Sequence, residues 1–159
     1  MNPITRKHFL QQTSLAGAGL LMSSIKAFAS ETNEKKVRVA IIGCGSVSTQ
    51  YLPHLSKSSF VDLVSTCDII YERAKQTAIK FNIKNSYPHI DALLKGSPFD
   101  LLVNLTNMQE HGRLNKQVLQ AGRNVWSEKP LANTYNEGKA LLDLAKEKKI
   151  AHMGCTCCS

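Results

Sequence analysis

Six residues, Val37-Arg38-Val39-Ala40-Ile41-Ile42, form a largely apolar, β-branched run that stops at Gly43-Cys44-Gly45. Such a run fits a strand buried on both faces, and the glycines directly after it fit a turn into a helix. The pattern recurs along the chain. Val61 to Cys67 is a second run, ending at Asp68, and Leu101 to Leu105 is a third. Asn124 to Trp126 begins a fourth, and Ile150 to Met153 makes a last one. Helical patterns fill the intervals: Tyr71 to Phe81, a short Ile90 to Lys95 closed by Gly96, and Met108 to Ala121 with Gly122 as its stop. Strands alternating with helices predict the α/β class, a doubly wound parallel sheet with right-handed crossovers in a single domain.

The helix starts carry capping signals. Thr134-x-x-Glu137 is a capping box, in which the hydroxyl accepts from the Glu137 amide and the carboxylate reaches back. Asn107-x-x-Glu110 repeats the logic with asparagine as the cap. The helix after Thr134 is predicted to end in Lys146-Glu147-Lys148-Lys149, where cations suit the carbonyl end of the helix dipole.

The loop after the first strand reads G-x-G-x-x-S, from Gly43 to Ser48. Glycine at 43 serves a tight turn, and glycine at 45 lets the backbone approach a pyrophosphate. The following helix offers free amides and a positive dipole end to that anion. Ser48 stands where Gly or Ala is usual and is small enough for close helix–strand packing. Gly43, Gly45, Ser46, Val47 and Ser48 are therefore candidate cofactor-binding residues. Asp68 ends the second strand twenty positions after Ser48. There a carboxylate accepts from ribose hydroxyls or, on the other reading, caps the next helix. As a ribose ligand it repels a 2′-phosphate, and the neighbouring Ile69 brings no cation, which predicts NAD, with NADP as the alternative. Gly138-Lys139-Ala140 lacks the flanking residues of an ATP loop.

Composition narrows the class. Hydrophobic residues make up 43% and charged residues 20%, a globular balance rather than a disordered one. Of the formal net charge of +8, Arg6, Lys7 and Lys26 lie in residues 1–29, leaving a mild and scattered +5, so no nucleic-acid partner is expected. No apolar run reaches the ~20 residues of a membrane span. Arg6-Lys7, a Gly/Ala-rich stretch from Leu15 to Ile25, and Ala27-Phe28-Ala29 together resemble a twin-arginine export signal, with lysine at the second arginine position. Residues 1–29 are thus expected to direct export to the periplasm, with 30–36 as a linker. The alternative is a cytoplasmic protein whose Arg-Lys pair is not read. The five cysteines are odd in number, and Cys155, Cys157 and Cys158 crowd an irregular tail, 155–159, so neither a disulfide framework nor a metal site is expected.

The most specific element is Ala121-Gly122-Arg123-Asn124-Val125-Trp126-Ser127-Glu128-Lys129-Pro130-Leu131-Ala132, taken with Thr106 to His111 and the glycine loop. From Val37 to Gly154 this ordered set resembles the glucose–fructose oxidoreductase/inositol dehydrogenase/rhizopine-catabolism (Gfo/Idh/MocA) family. The resemblance implies a nicotinamide dinucleotide cofactor and hydride transfer to or from a sugar or polyol. It implies that Lys129 is the catalytic residue at the reacting hydroxyl or carbonyl, aimed by Pro130. It places Glu128 on the nicotinamide-ribose side, and Thr106, Asn107 and His111 along the cofactor, with helix packing as the other role for His111. The family has proline where Asn107 stands. Family members carry a second domain that builds the substrate pocket, and this chain is expected to be a truncated reading or gene fragment without it. The alternative function is a dinucleotide-binding module or remnant that does no chemistry.

Overall fold

The computed structural model describes residues 35–154. Six strands form one parallel sheet: β1 Val37–Ile42, β2 Val61–Cys67, β3 Asn85–Tyr87, β4 Leu101–Asn104, β5 Asn124–Ser127 and β6 His152–Gly154. Their order is β3-β2-β1-β4-β5-β6. The helices between them are α1 Ser48–Leu55, α2 Tyr71–Lys80, α3 Ile90–Lys95, α4 Met108–Gln120 and α5 Tyr135–Lys148.

Strand periodicity divides the core into two layers. In β1, Val39 and Ile41 face one side, packing with Leu52 of α1 and Ala78 of α2. Ala40 and Ile42 face the other, packing with Leu93, Leu114, Val118 and Leu141 of α3, α4 and α5. All four β1 side chains are 5% exposed or less, which explains why this strand reads as a continuous apolar run. The chain winds outward from β1 through β2 and β3, then returns to start again at β4 on the other side of β1. The carboxyl ends of β1 and β4 therefore border the crevice where the winding reverses, the usual ligand site of such sheets.

Several element ends differ from expectation for local reasons. β3 has no apolar run; it is held by pairing Ser65, Thr66 and Cys67 with Asn85, Ser86 and Tyr87, and by Asn85 Nδ2 donating to the Val64 carbonyl at 2.9 Å. The last strand is His152–Gly154, because Ile150 still donates its amide to Ala145 at the close of α5, beyond a left-handed Lys149 at φ 54°. Thr134 accepts from the Glu137 amide at 3.2 Å as expected. The Glu137 carboxylate, however, accepts from the Asn133 amide at 2.9 Å rather than from Thr134, and so braces the residue ahead of the cap. Residues 1–34 and 155–159, which carry the expected export signal, most of the linker and the terminal cysteines, lie outside the described residues.

Candidate functional site

Gly43 leaves β1 at φ +91°, a conformation side chains rarely adopt. A Cβ there would stand 2.6 Å from the Leu105 carbonyl carbon and 2.7 Å from the Thr106 nitrogen, so the exits of β1 and β4 touch backbone to backbone. Gly45 differs: a Cβ on it would meet nothing within 4 Å, and it faces open space. Among the described residues no acceptor satisfies the amides of Gly45, Ser46 or Val47. Open space beside three free amides and a helix start is a cradle suited to an anion. Ser48 is 2% exposed and turned inward, its hydroxyl donating to the Gly45 carbonyl at 2.6 Å. Its side chain holds the loop and does not line the crevice.

Asp68 is buried at the end of β2. One carboxylate oxygen accepts from the Cys44 amide at 2.8 Å, across 24 residues, and the other accepts from the Ile70 amide at 2.8 Å. The residue at the α2 cap position is Ile70, which makes no side-chain cap bond. Asp68 thus ties the glycine loop to the approach of α2, and its remaining lone pairs border the crevice beside Ile69, 92% exposed. Ile69 brings no cation, but the next helix does. Arg73, in the first turn of α2, lines the crevice on both sides of the glycine loop. Three residues along a helix return to the same face, which a reading of the nearest neighbour in sequence does not register. Cys44 and Cys67 lie beneath the loop; burial pushes their thiols up to about 11 and about 12 respectively.

The other wall is built by β4, α4 and the turn after β5. Asn104, fully buried, donates from Nδ2 to Asn115 Oδ1 at 2.8 Å. Its own Oδ1 accepts the Thr106 hydroxyl at 2.7 Å, and its backbone carbonyl accepts the Glu128 amide at 3.0 Å. Asn115 donates onward to the Leu131 carbonyl at 3.3 Å. His111 sits between the Pro130 and Thr106 carbonyls, with ring nitrogens at 2.7 and 3.0 Å. Residues 128, 130 and 131 are each fastened, and Lys129 between them is exposed at the rim. The Lys129–Pro130 peptide is cis. Asn107 occupies the α4 cap position without a side-chain cap bond; its carbonyl, not its amide group, accepts from Glu110 at 2.9 Å. Its side chain thereby stays free to face the crevice. Glu128 accepts from the Tyr51 hydroxyl and from the Lys129 amide, and the Tyr51 ring packs at a tilt of 57° against Trp126, 5.2 Å between centroids.

Three adjoining depressions meet at Thr106 and Asn107. One, of about 520 Å³, is bordered by Gly43, Gly45 and Asp68. The second runs along Gly45, Ser46 and Val47. The third, of about 830 Å³, holds His111, Glu128 and Lys129 with Tyr51 and His54 of α1. The structure therefore brings all the expected residues except Ser48 to one continuous crevice. Arg73, Tyr51 and His54 are the additions. Among the described residues no group of three or more His, Cys, Asp or Glu side chains is placed to hold a metal ion, and no helix is long and apolar enough to cross a membrane.

Residues 37–154 match the sequence model of an oxidoreductase family described by its NAD-binding Rossmann fold. The chain belongs to the Gfo/Idh/MocA family. Similar curated proteins include a 4-carboxy-2-hydroxymuconate-6-semialdehyde dehydrogenase of Sphingobium, 26% identical over 117 residues, or 74% of this chain and 37% of that protein. Another is an inositol 2-dehydrogenase/D-chiro-inositol 3-dehydrogenase of Lacticaseibacillus casei, 26% identical over 122 residues, 74% of this chain and 35% of the relative. Among solved structures, GenD2 from gentamicin A biosynthesis, in complex with NAD, superposes with a TM-score of 0.71 at 25% identity, covering 76% of this chain and 34% of that one. The chain thus spans about a third of the length of its Gfo/Idh/MocA relatives, and the part it spans is their NAD-binding Rossmann domain.

Proposed function

We propose that the crevice holds a nicotinamide dinucleotide across the β1/β4 switch point, and that the chain is the cofactor-binding portion of an exported oxidoreductase acting on a sugar or polyol. The observation that carries this reading is the open cradle at Gly45 beside the free amides of Gly45, Ser46 and Val47. Those amides suit the pyrophosphate, with Arg73 as a cation at the same loop. Asp68 is placed to accept from the adenosine ribose. Thr106, Asn107 and Glu128 continue the wall toward Lys129. With Arg73 lining the pocket and two backbone amides on Asp68, repulsion of a 2′-phosphate is blunted, so NADP stands beside NAD.

When bound, the cofactor supplies hydride chemistry. Lys129 supplies a charged donor at the rim, suited to hold a substrate oxygen and to stabilise negative charge growing on it. Its Nζ has no partner among the described residues, so the charge is not already spent on an ion pair. The inositol dehydrogenase relative supports a polyol or sugar as the substrate class. Export rests on Arg6-Lys7 and the stretch that follows; replacing both by Gln should leave the precursor in the cytoplasm. Unchanged localisation would overturn that part.

A second reading is a dinucleotide-binding module that does no chemistry. One experiment addresses both. Titration of the full chain with NADH and NADPH, followed by cofactor fluorescence, should saturate, and Gly45→Val should weaken it at least tenfold. No saturation at millimolar cofactor would sink the cofactor reading. Reduction of NAD with myo-inositol or glucose would favour the oxidoreductase; binding without turnover would favour the module.

A further inference from the structure

Tyr51 joins two parts of the crevice that the chain builds far apart in sequence. It lies in the first turn of α1, the helix whose start forms the anion cradle, and its hydroxyl donates to Glu128 Oε1 in the turn after β5. The other carboxylate oxygen of Glu128 accepts the Lys129 amide at 3.0 Å, and the Glu128 amide is fastened to the Asn104 carbonyl at 3.0 Å. Both carboxylate oxygens are thus held, one from α1 and one from the residue that carries the rim cation. The Tyr51 ring packs against Trp126 of β5, 5.2 Å between centroids, and this contact sets where the hydroxyl ends.

A glutamate side chain gives up considerable rotamer freedom when it is ordered, so at a turn its carboxylate keeps one place only if something ties it. A bond from a hydroxyl to a charged carboxylate is among the stronger ones available for that purpose. A carboxylate offers about four acceptor sites, and the Tyr51 and Lys129 donors take two of them. The others belong to a side chain that borders the third depression beside Lys129. We propose that Tyr51 is a positioning residue: by tethering Glu128 it aims that carboxylate at the hydroxyls of the ribose next to the nicotinamide. It also fixes the Lys129 turn relative to the helix that carries the cradle. The aim toward the ribose rests on the cofactor reading, whereas the tether does not.

Tyr51→Phe keeps the ring against Trp126 and removes only the hydroxyl. The tether is read without cofactor, by amide hydrogen exchange of the full chain followed by nitrogen-15 NMR. With Glu128 released, the Lys129 amide should exchange at least about fivefold faster, while the core amides of β1 and β4 keep their rates. An unchanged Lys129 rate overturns the proposal. Calorimetric titration then reads the aim. NADH affinity should fall about tenfold in Tyr51→Phe, as expected for one lost hydrogen bond to a charged group. ADP, which lacks the nicotinamide ribose, should bind within about twofold of the unmodified chain. In a Glu128→Ala chain the same tyrosine change should leave NADH affinity where it was, since the group it acts through is gone. Equal losses for NADH and ADP, or a full further loss in the Glu128→Ala chain, would make Tyr51 a support of α1 alone and overturn the aim. An unmodified chain that binds no NADH at millimolar concentration, yet shows the faster Lys129 exchange, would uphold the tether and overturn the cofactor reading.

Discussion

Gly43 and Gly45 stand two residues apart in one loop, yet the structure assigns them opposite vulnerabilities. At Gly43, alanine would hold φ +91°, costing about 1–3 kcal/mol for a strained non-glycine backbone. Its Cβ would press on Leu105 and Thr106 backbone atoms at 2.6 to 2.7 Å, for about another 1–3 kcal/mol of overpacking. Those atoms cannot step aside, because Leu105 donates to the Ile42 carbonyl at 2.8 Å and Gly43 donates to Cys67 at 2.9 Å. Reduced freedom of the unfolded chain returns about 0.4–1 kcal/mol. The expected net loss is about 1–6 kcal/mol, a large share of the ~5–15 kcal/mol of an ordinary domain. At Gly45, alanine meets nothing within 4 Å, and stability should stay within ~0.5 kcal/mol. Urea unfolding followed by the fluorescence of Trp126, the chain's one tryptophan, reads both. With a slope near ~2 kcal/mol/M, Gly43→Ala should lower the midpoint by about 0.5–3 M and Gly45→Ala by less than ~0.3 M. Equal midpoints for the two variants, or a Gly43→Ala midpoint matching the unmodified chain, would refute the reasoning.

Other expectations follow from single sites. The Arg38 guanidinium, at 2.7 Å, holds the Asp100 carboxyl well below the usual carboxylate range. That contribution is present above the unfolded carboxyl's range near pH ~4 and is lost as pH falls through the lowered folded value. Because both side chains are about a third exposed, Asp100→Asn should cost only ~1 kcal/mol at pH 7, shrinking under acid; an acid-independent loss in pH-resolved urea curves would refute it. Cys44 and Cys67, pushed up by burial to about 11 and about 12, should resist iodoacetamide at pH 7.5 in the folded chain and react after unfolding. Site-resolved mass spectrometry showing fast labelling of either in the native state would contradict their burial. Thr134→Ala should remove ~1 kcal/mol through loss of the Glu137 amide bond, measured by thermal unfolding, whereas Asn107→Ala, which loses no side-chain cap bond, should cost less than ~0.5 kcal/mol.

What could be read in the sequence was whatever one segment encodes for itself. β1 announced itself because its last four residues are buried on both faces, and α3 ran from Ile90 to Lys95 as its pattern indicated. β3 was invisible, since Asn85-Ser86-Tyr87 is a strand only because β2 offers it an edge. The same division runs through the site. The glycine spacing and the Glu-Lys-Pro element are local, so they pointed to the crevice. Arg73 reaches it through helix geometry, and the fate of the Glu137 carboxylate was decided by Asn133 lying within reach. The Asn104–Asn115–Leu131 chain of bonds joins three elements, and a buried asparagine pair carries no periodic signature.

The fastening of the turn after β5 also bears on how this chain can vary in length. Glu128, Pro130 and Leu131 are each bonded to a different partner, Asn104, His111 and Asn115, all supplied by β4 and α4. Three anchors within four residues leave no slack, so adding or deleting one residue there would unseat at least two of them together. Across the sheet, the stretch from Gly96 to Pro98 joins α3 to β4 at the opposite edge from the crevice, and its anchorage to Tyr87 is a single bond from Ser97. Length changes should therefore accumulate at that far end, while the spacing from Asn104 to Leu131 stays constant.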